Sequence, residues 1–433
     1  MNVKEMTNTM LKQKVKAFGQ ILYHCAKEQP KRKFHALYDK IYRPDILKVA
    51  WLKVKAKQGS GGIDGNSIDY IVDTIGERQF LNDLYVKLKQ ENYTAQPVKR
   101  VYIPKGNGET RPLGIPVIED RVVQQATKLV MEPIFEVDFS DCSYGFRPKR
   151  NAHQALKTIR KESKTTYWVV DVDIKGYFDH ISHQKLMQLV EQRISDKRLL
   201  ALIRQWLKAG VMEDKVLYES SVGSPQGGVI SPLLANIYLN YLDTLWEKYC
   251  SHLGTLIRYA DDMVIMCKRK TLALESIRVL KGIFEKLELE MNTEKSHLVN
   301  LWDDSEGFDF LGFHHRKLPK RRKNGKVFYL LEHLPSKKAM KNMRQTFKSF
   351  ISPRNKLHLE TLDFVEGLNR KIVGMRNYYL ITPISQKWLA KMDKYIKELL
   401  IIHYNTRRQR PKYRDRKTVV NLLEGKLEKL AIG

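Results

Sequence analysis

Asp261 and Asp262 stand side by side within Leu256-Ile-Arg-Tyr-Ala-Asp-Asp-Met-Val-Ile-Met266. Adjacent carboxylates repel and are costly unless a cation compensates them. The hard, oxygen-seeking cation suited to that task is Mg²⁺. Asp is also common in ordinary turns, so the pair gains meaning only from its company. Eighty-eight residues upstream of Asp261, Tyr167-Trp-Val-Val-Asp-Val-Asp-Ile174 carries Asp171 and Asp173 two apart, hence on one face of a strand. Carboxylates on so apolar a strand are expensive unless they are used. Between the two acidic sites lies Gly223-Ser-Pro-Gln-Gly-Gly228, whose glycines permit close backbone approach by a ligand. Further upstream, Lys105 and Arg111 flank a turn. Two cations there could clamp a triphosphate, Arg as a fork and Lys as a point charge, although basic turns are often only solvated.

The elements that must hold these residues follow from pattern. The apolar, β-favouring runs on either side of Ala260-Asp261 predict a hairpin with the acids at its tip. Val98–Ile103 and Thr110–Ile115 predict a second hairpin around Pro104-Lys-Gly-Asn-Gly108. Tyr167–Ile174 reads as a strand by its β-branched and aromatic content. Helices are predicted over Phe80–Asn92, Asp120–Met131, Ala152–Lys161 with Asn151 as N-cap, Arg198–Leu207, Ser231–Leu242 with Pro232 in the first turn, and Leu274–Leu287. Met1 to about Gln58 is basic and helical in pattern. Gly59-Ser-Gly-Gly-Ile-Asp-Gly65 lacks a following Gly-Lys-Ser/Thr, so a flexible loop or lid is expected in place of a phosphate cradle. Phe308–Phe313 predicts a short strand, Lys320–Lys326 a basic turn, and helices dominate beyond it. His314-His315 reads as part of a basic loop.

The chain has 433 residues, enough for two or three subdomains, and a formal net charge of +29. That excess calls for a polyanionic partner. No run is apolar enough to span a bilayer and no targeting signal is evident, which favours nucleic acid over a membrane. The four cysteines are scattered, with no Cys-x-x-Cys pair, so a reducing cytosol fits better than a zinc module or disulfide framework. From Leu311 onward there are 30 Lys and Arg against 9 Asp and Glu, a net +21, so the C-terminal part reads as a nucleic-acid grip. Ser143-Tyr-Gly-Phe-Arg-Pro-Lys-Arg150 mixes aromatics with cations, as suits stacking on bases and contacting phosphates. Tyr144 and Phe146 read equally well as core plugs.

In order, Gly62-Ile-Asp-Gly65, Ile103-Pro-Lys105, Arg111-Pro-Leu-Gly-Ile-Pro116, Tyr144-Gly-Phe-Arg-Pro148 with Asn151, Asp173-Ile-Lys-Gly176 with Phe178-Asp179, Pro225-Gln-Gly-Gly228, Ser231-Pro-Leu-Leu-Ala-Asn236, Tyr259-Ala-Asp-Asp262, Glu294-Lys-Ser296 and Phe310-Leu-Gly-Phe313 resemble the bacterial group II intron-encoded reverse transcriptases, or maturases. The resemblance runs from about Trp51 to Phe313. It implies an α+β right-hand polymerase with fingers, a palm built on an antiparallel sheet, a helical thumb and an N-terminal helical extension. The expected divisions are residues 1–75 for the extension, 76–315 for fingers and palm, 316–400 for the thumb or maturase region, and 401–433 for a short basic segment.

By the same resemblance, Asp173, Asp261 and Asp262 are the palm carboxylates holding two Mg²⁺ ions, with Asp262 either a ligand or a shaper of the turn and Asp171 outside the metal set. Lys105, Arg111, Phe178, Gln226 and Lys295 would meet the incoming nucleotide, Phe178 by excluding a 2′-hydroxyl. Lys295 reads nearly as well as a surface lysine. Tyr144, Phe146, Arg147, Leu311 and Gly312 would hold primer and template. Arg407, Arg408 and Arg410 would contact nucleic acid in a DNA-binding-like extension with no endonuclease module. The implied partners are an RNA template, intron RNA, a DNA primer or target and dNTPs, in a bacterial cytoplasm without membrane attachment. The implied function is RNA-directed DNA synthesis with assistance to splicing and retrohoming. Two alternatives stay open: a domesticated relative serving phage defence, DNA repair or a CRISPR locus, and an RNA-binding splicing factor with a vestigial polymerase site.

Overall fold

The computed structural model describes residues 7–104, 110–213, 216–218, 223, 227–302, 306–352 and 354–431. The chain forms two compact units, Met1–Ala155 with Val170–His297, and Leu156–Val169 with Leu298–Gly433. The division falls at 297/298, earlier than the expected 315/316, and the N-terminal helices belong to the first unit.

The first unit carries strands β1 (Val98–Pro104), β2 (Thr110–Ile115), β3 (Trp168–Val172, entering this unit at Val170), β4 (Val211–Glu213), β5 (Val216–Tyr218), β6 (Thr255–Tyr259) and β7 (Asp262–Cys267). One sheet has the order β2-β1-β4-β5, with β1 and β2 antiparallel so that Ile103 faces Arg111. In the other, β6 and β7 form the antiparallel hairpin and β7 lies next to β3. Met263 to Cys267 are fully buried, as a strand covered on both faces requires.

Helices Pro44–Lys55 and Ile118–Phe135 build the N-terminal core around Trp51, Leu47, Val122, Val123, Ala126 and Val130, each at most 1% exposed. Pro44 sits at the first helical position, where its missing N–H costs nothing. The buried Asp196 caps helix Lys197–Lys208 and also accepts the backbone N–H groups of Leu37 and Tyr38, both at 2.8 Å, tying the N-terminal segment to this helix. The glycine-rich stretch is no free lid. Arg121 donates from Nε to Pro116 O at 2.8 Å and from Nη2 to Ser60 O, strapping the stretch onto the start of helix Ile118–Phe135.

The second unit has β8 (His297–Asn300), β9 (Gly307–Phe310), β10 (Phe313–Arg321) and β11 (Val327–Pro335), the last three ordered β11-β10-β9. Helices Lys337–Ile351, Asp363–Tyr379, Pro383–Arg407 and Arg416–Leu423 enclose a core of Phe347, Ile351, Leu368, Ile372, Leu389 and Leu400, all fully buried. Ser336 caps the first of these helices, and Thr382 with Ser385 forms a capping box on the third. The short strand expected over Phe308–Phe313 appears as β9, and the basic turn expected over Lys320–Lys326 joins two nine-residue strands, β10 and β11, where helices were expected to follow the turn directly. His314 and His315 lie in β10, not in a loop. His315 is fully buried, 2.8 Å from His333 between their Nδ1 atoms, and burial lowers its pKa well below the ordinary value. Among the described residues no helix is long and apolar enough to cross a membrane.

Candidate active site

The acidic hairpin closes through the pair Tyr259 and Asp262, leaving Ala260 and Asp261 as a two-residue turn with Ala260 at φ +60°. Such tight turns need left-handed backbone, which Ala adopts only when its surroundings hold it there. Arg258 supplies that hold. It donates from Nη1 to Ala260 O at 2.8 Å and to Asn236 Oδ1 at 3.0 Å, and its Nε and Nη2 grip both carboxylate oxygens of Asp243. Asn236 in turn donates to Gly145 O at 2.8 Å. Gly145 is pressed so close to the turn that a Cβ there would lie 2.4 Å from Ala260 N. One buried network therefore locks the acidic turn to helix Ser231–Leu245 and to the Tyr144-Gly-Phe-Arg-Pro148 loop.

Burial raises the pKa of Asp261; Arg111 opposes the rise and Asp173 adds to it. The structure thus brings Asp173, Asp261 and Arg111 within electrostatic reach of one another. Asp173 is half-buried just past β3. Its backbone is fixed by Asn292 N, which donates to Asp173 O at 2.8 Å, and by Ser296 Oγ, which accepts from Asp173 N at 3.1 Å. Asp171 is half-buried within β3, and Asp262 is exposed at the first position of β7. Among the described residues no three His, Cys, Asp or Glu side chains converge as a ready-made metal cage. Two carboxylates whose charges oppose each other, one of them desolvated, nevertheless fit a hard divalent ion. Mg²⁺ is commonly held by one or two carboxylates with substrate phosphates and water completing the shell.

Five residues after Asp173, Phe178 lies half-buried in the single turn Tyr177–Asp179, edge-on to Tyr177 at 5.2 Å. Tyr177 OH donates to Ala235 O at 2.7 Å and fixes the turn. Gly223 N donates to Ile181 O at 2.9 Å, and His183 Nε2 lies 2.5 Å from Gly223 O. At the loop's other end Gly227 has φ +116°, and a Cβ there would lie 2.3 Å from Gly114 O in β2. Val229 N donates to Gln124 Oε1 at 2.8 Å. The Pro-Gln-Gly loop is therefore moored at one end beside the Phe178 turn and at the other against the strand that carries Arg111. Gln226 itself, like Lys105, lies outside the described residues.

The other expected contacts divide. Phe146 is 52% exposed, with its ring 6.3 Å from that of Tyr259, and so faces outward beside the acidic turn. Tyr144 is buried and paired through its backbone N–H to Arg258 O. Arg147 is buried as well, its guanidinium spent on Glu136 and on the carbonyls of Phe139, Ser140 and Ser143. These two shape the loop from within. Lys295 is exposed in the turn after Met291, its N–H donating to Asn292 Oδ1 at 3.3 Å. In the second unit Leu311 and Gly312 form the β9–β10 turn, Leu311 O accepting from Tyr378 OH at 2.8 Å and Gly312 O from Ser336 N at 3.0 Å. Arg407 pairs with Glu360, Arg408 stacks on Tyr404 and Arg410 pairs with Asp415, the geometry of an internally braced turn.

A family model described as reverse transcriptase (RNA-dependent DNA polymerase) matches residues 103–315. Protein YkfC of Escherichia coli K12 is 35% identical over 354 residues, covering 72% of this chain and 91% of its own. The group II intron-encoded protein LtrA of Lactococcus lactis is 42% identical over 213 residues, covering 48% of this chain and 35% of LtrA. This chain belongs to the reverse transcriptases of the group II intron-encoded type. An uncharacterized 91 kDa protein in the cob intron of Schizosaccharomyces pombe is 37% identical over 217 residues, covering 48% of this chain and 26% of its own. As a member, this reverse transcriptase is an RNA-directed DNA polymerase of α+β fold, in a family that uses divalent metal ions.

Pattern reading reached the acids and the glycine loop but missed the lock behind them. A signal for Arg258 was present: a lone cation between Ile257 and Tyr259 in an apolar strand demands a buried partner. Asp243 carried none, because an acid in a long helix is ordinarily a solvated one.

Proposed function

We propose that this reverse transcriptase adds deoxynucleotides at Asp173 and Asp261, that Mg²⁺ is the ion these carboxylates hold, with two ions in the working complex, and that the protein also binds its intron RNA and assists splicing and retrohoming. The observation that carries the catalytic part is the buried Asp261, held at its turn by the Arg258 network and acted on electrostatically by both Asp173 and Arg111, with the Pro-Gln-Gly loop moored against the strand that carries Arg111. Mg²⁺ bound there would activate the primer 3′-hydroxyl and stabilise charge on the leaving pyrophosphate. Backbone contacts from Asn292 and Ser296 hold Asp173 in place, and the Arg258 network holds the turn that carries Asp261. Arg111 neutralises triphosphate charge from the β2 side, and Lys105 is assigned the same role from its place in the sequence motif. Phe178 forms the floor under the sugar and selects by shape, and Gln226 is assigned to the incoming nucleotide from its place in the sequence motif. Asp262 supports the turn from its exposed side. In the first unit Phe146, and in the second Leu311 and Gly312, are each assigned to contact primer or template. Lys295 stands by to protonate pyrophosphate.

In this reading the first unit is fingers and palm and the second is the thumb or maturase region. The large positive charge supports the intron RNA role, since phosphate contacts supply affinity for any long RNA. Sequencing of RNA co-purified with the protein tests that part. Enrichment of one RNA containing the protein's own reading frame, whose splicing the protein accelerates, is expected. Random cellular RNA with no splicing effect would reject it.

A further inference from the structure

The β10–β11 hairpin extends beyond what folding requires. Nine cross-strand pairs run from Phe313 with Pro335 to Arg321 with Val327, a ribbon of about 30 Å at some 3.4 Å per residue. Its base is anchored: Phe313, His315, Lys317, Leu331, Glu332 and His333 are buried. Its outer half is not. Pro319, residues 321–327 and Tyr329 are exposed. A two-stranded ribbon is marginal alone in water, so an outer half left this exposed among the described residues suits a partner that arrives from outside.

The chemistry of that outer half is one-sided. Lys320, Arg321, Arg322, Lys323 and Lys326 fall within seven residues that contain no acid. Lys320 is neutralised by the buried Glu332 at 3.1 Å. Among the described residues no carboxylate pairs with Arg321, Arg322, Lys323 or Lys326. The turn holding them is ordered by Gly325 N donating to Arg322 O and by Arg322 N donating to Lys326 O, both at 2.9 Å. Arg322 lies over the Phe328 ring, 5.4 Å from its centroid, within cation–π reach. Tyr329 is 48% exposed and, by strand alternation, shares a ribbon face with Arg321 and Val327.

We infer that the outer half of this hairpin is an RNA-docking ribbon, separate from the polymerase residues, whose partner is a folded RNA with unpaired bases. Four unneutralised cations call for a polyanion. An exposed aromatic beside them is of use where bases are splayed out, as in loops and bulges of folded RNA, and of little use against a closed duplex. A membrane surface would take the cations but asks for a cluster of insertable apolar side chains, and here Val327 and Tyr329 stand alone.

The test uses the full chain with Arg321→Gln, Arg322→Gln and Lys323→Gln combined, and separately Tyr329→Ala. Three probes are compared: a long RNA with internal loops, a fully paired RNA duplex of equal length, and vesicles rich in phosphatidylserine. The triple variant should bind the looped RNA about tenfold more weakly, with a slope of log affinity against log salt shallower by roughly 2. Tyr329→Ala should weaken looped RNA selectively over the duplex. Extension of a short saturating primer–template should be unchanged in both, which also reports correct folding. Unaltered RNA affinity and slope would overturn the inference, and so would a loss seen only with the vesicles. Loss of short-primer extension would instead implicate the catalytic unit.

Discussion

Arg258 and Asp243 form an ion pair in which neither side chain has any solvent exposure, directly behind the Ala260-Asp261 turn. Burying two charges is costly unless geometry and further hydrogen bonds compensate. Here the fork is bidentate, and the remaining donor reaches Asn236 and Ala260 O. The pair is better understood as a device for setting the position of Asp261 than as a source of stability.

Removing one partner separates those roles. Asp243→Asn should destabilise the fold by about 3–5 kcal/mol, because Arg258 is left buried and uncompensated. Replacing both, as Arg258→Met with Asp243→Leu, should restore much of that stability but not DNA synthesis, since Ala260 O has lost its donor. Urea unfolding and primer extension on the same samples check this. Recovery of both together would remove the positioning role.

The moored loop makes a second prediction. Gly227→Ala would force a Cβ against Gly114 O from a backbone at φ +116°. A cost of about 1–3 kcal/mol is expected, with a larger proportional loss in kcat/KM for dNTP than in melting temperature. Steady-state kinetics and thermal melts decide; equal kinetics would mean the loop does not shape the nucleotide slot.

Phe178→Ala should relax discrimination against ribonucleotides more than it slows deoxynucleotide addition. Single-nucleotide incorporation with paired dNTP and rNTP reads this directly. Unchanged selectivity would refute the place given to Phe178.

A pH signature arises away from the site. Asp120 is buried against Tyr93, whose OH donates at 2.5 Å, and burial raises its pKa to about 6. A folded-state pKa above the unfolded value means that the folded form binds the proton more tightly. Stability tied to Asp120 is therefore full below about pH 4 and is lost as pH rises through 6, by up to about 3 kcal/mol. Asp120→Asn should flatten that part of the curve. Urea midpoints between pH 4.5 and 7 test it, and parallel curves would show that Asp120 does not titrate in this window.

Much of the fold was legible because pattern and packing agree there. The hairpin around Asp261, the strand before Asp173 and the helix capped by Asn151 all follow from local periodicity and turn chemistry. The glycine-rich stretch misled, since its docking depends on Arg121, distant in sequence from Ser60. The β10–β11 ribbon was missed because the outer end of β10, Pro319-Lys-Arg321, runs straight into the basic turn, and the continuous apolar run Val327-Phe-Tyr-Leu-Leu331 of β11 lacks the alternation that marks a half-exposed strand. His315 looked like a loop residue because only His333, on the partner strand, reveals that it is core. Tyr144 and Arg147 carried the composition of a nucleic-acid contact, yet their partners Arg258 and Glu136 turn them inward. Within the candidate site, the acids were visible one at a time, while the network that fixes them is a property of the tertiary structure.

The most direct measurement is extension of a DNA primer on an RNA template in Mg²⁺ by the full chain, alongside Asp173→Asn and Asp261→Asn. The account predicts full-length cDNA from the wild type and a loss of at least a thousandfold, about 4 kcal/mol in transition-state stabilisation, in each variant with unchanged primer–template affinity. cDNA made at comparable rates by either variant would contradict it.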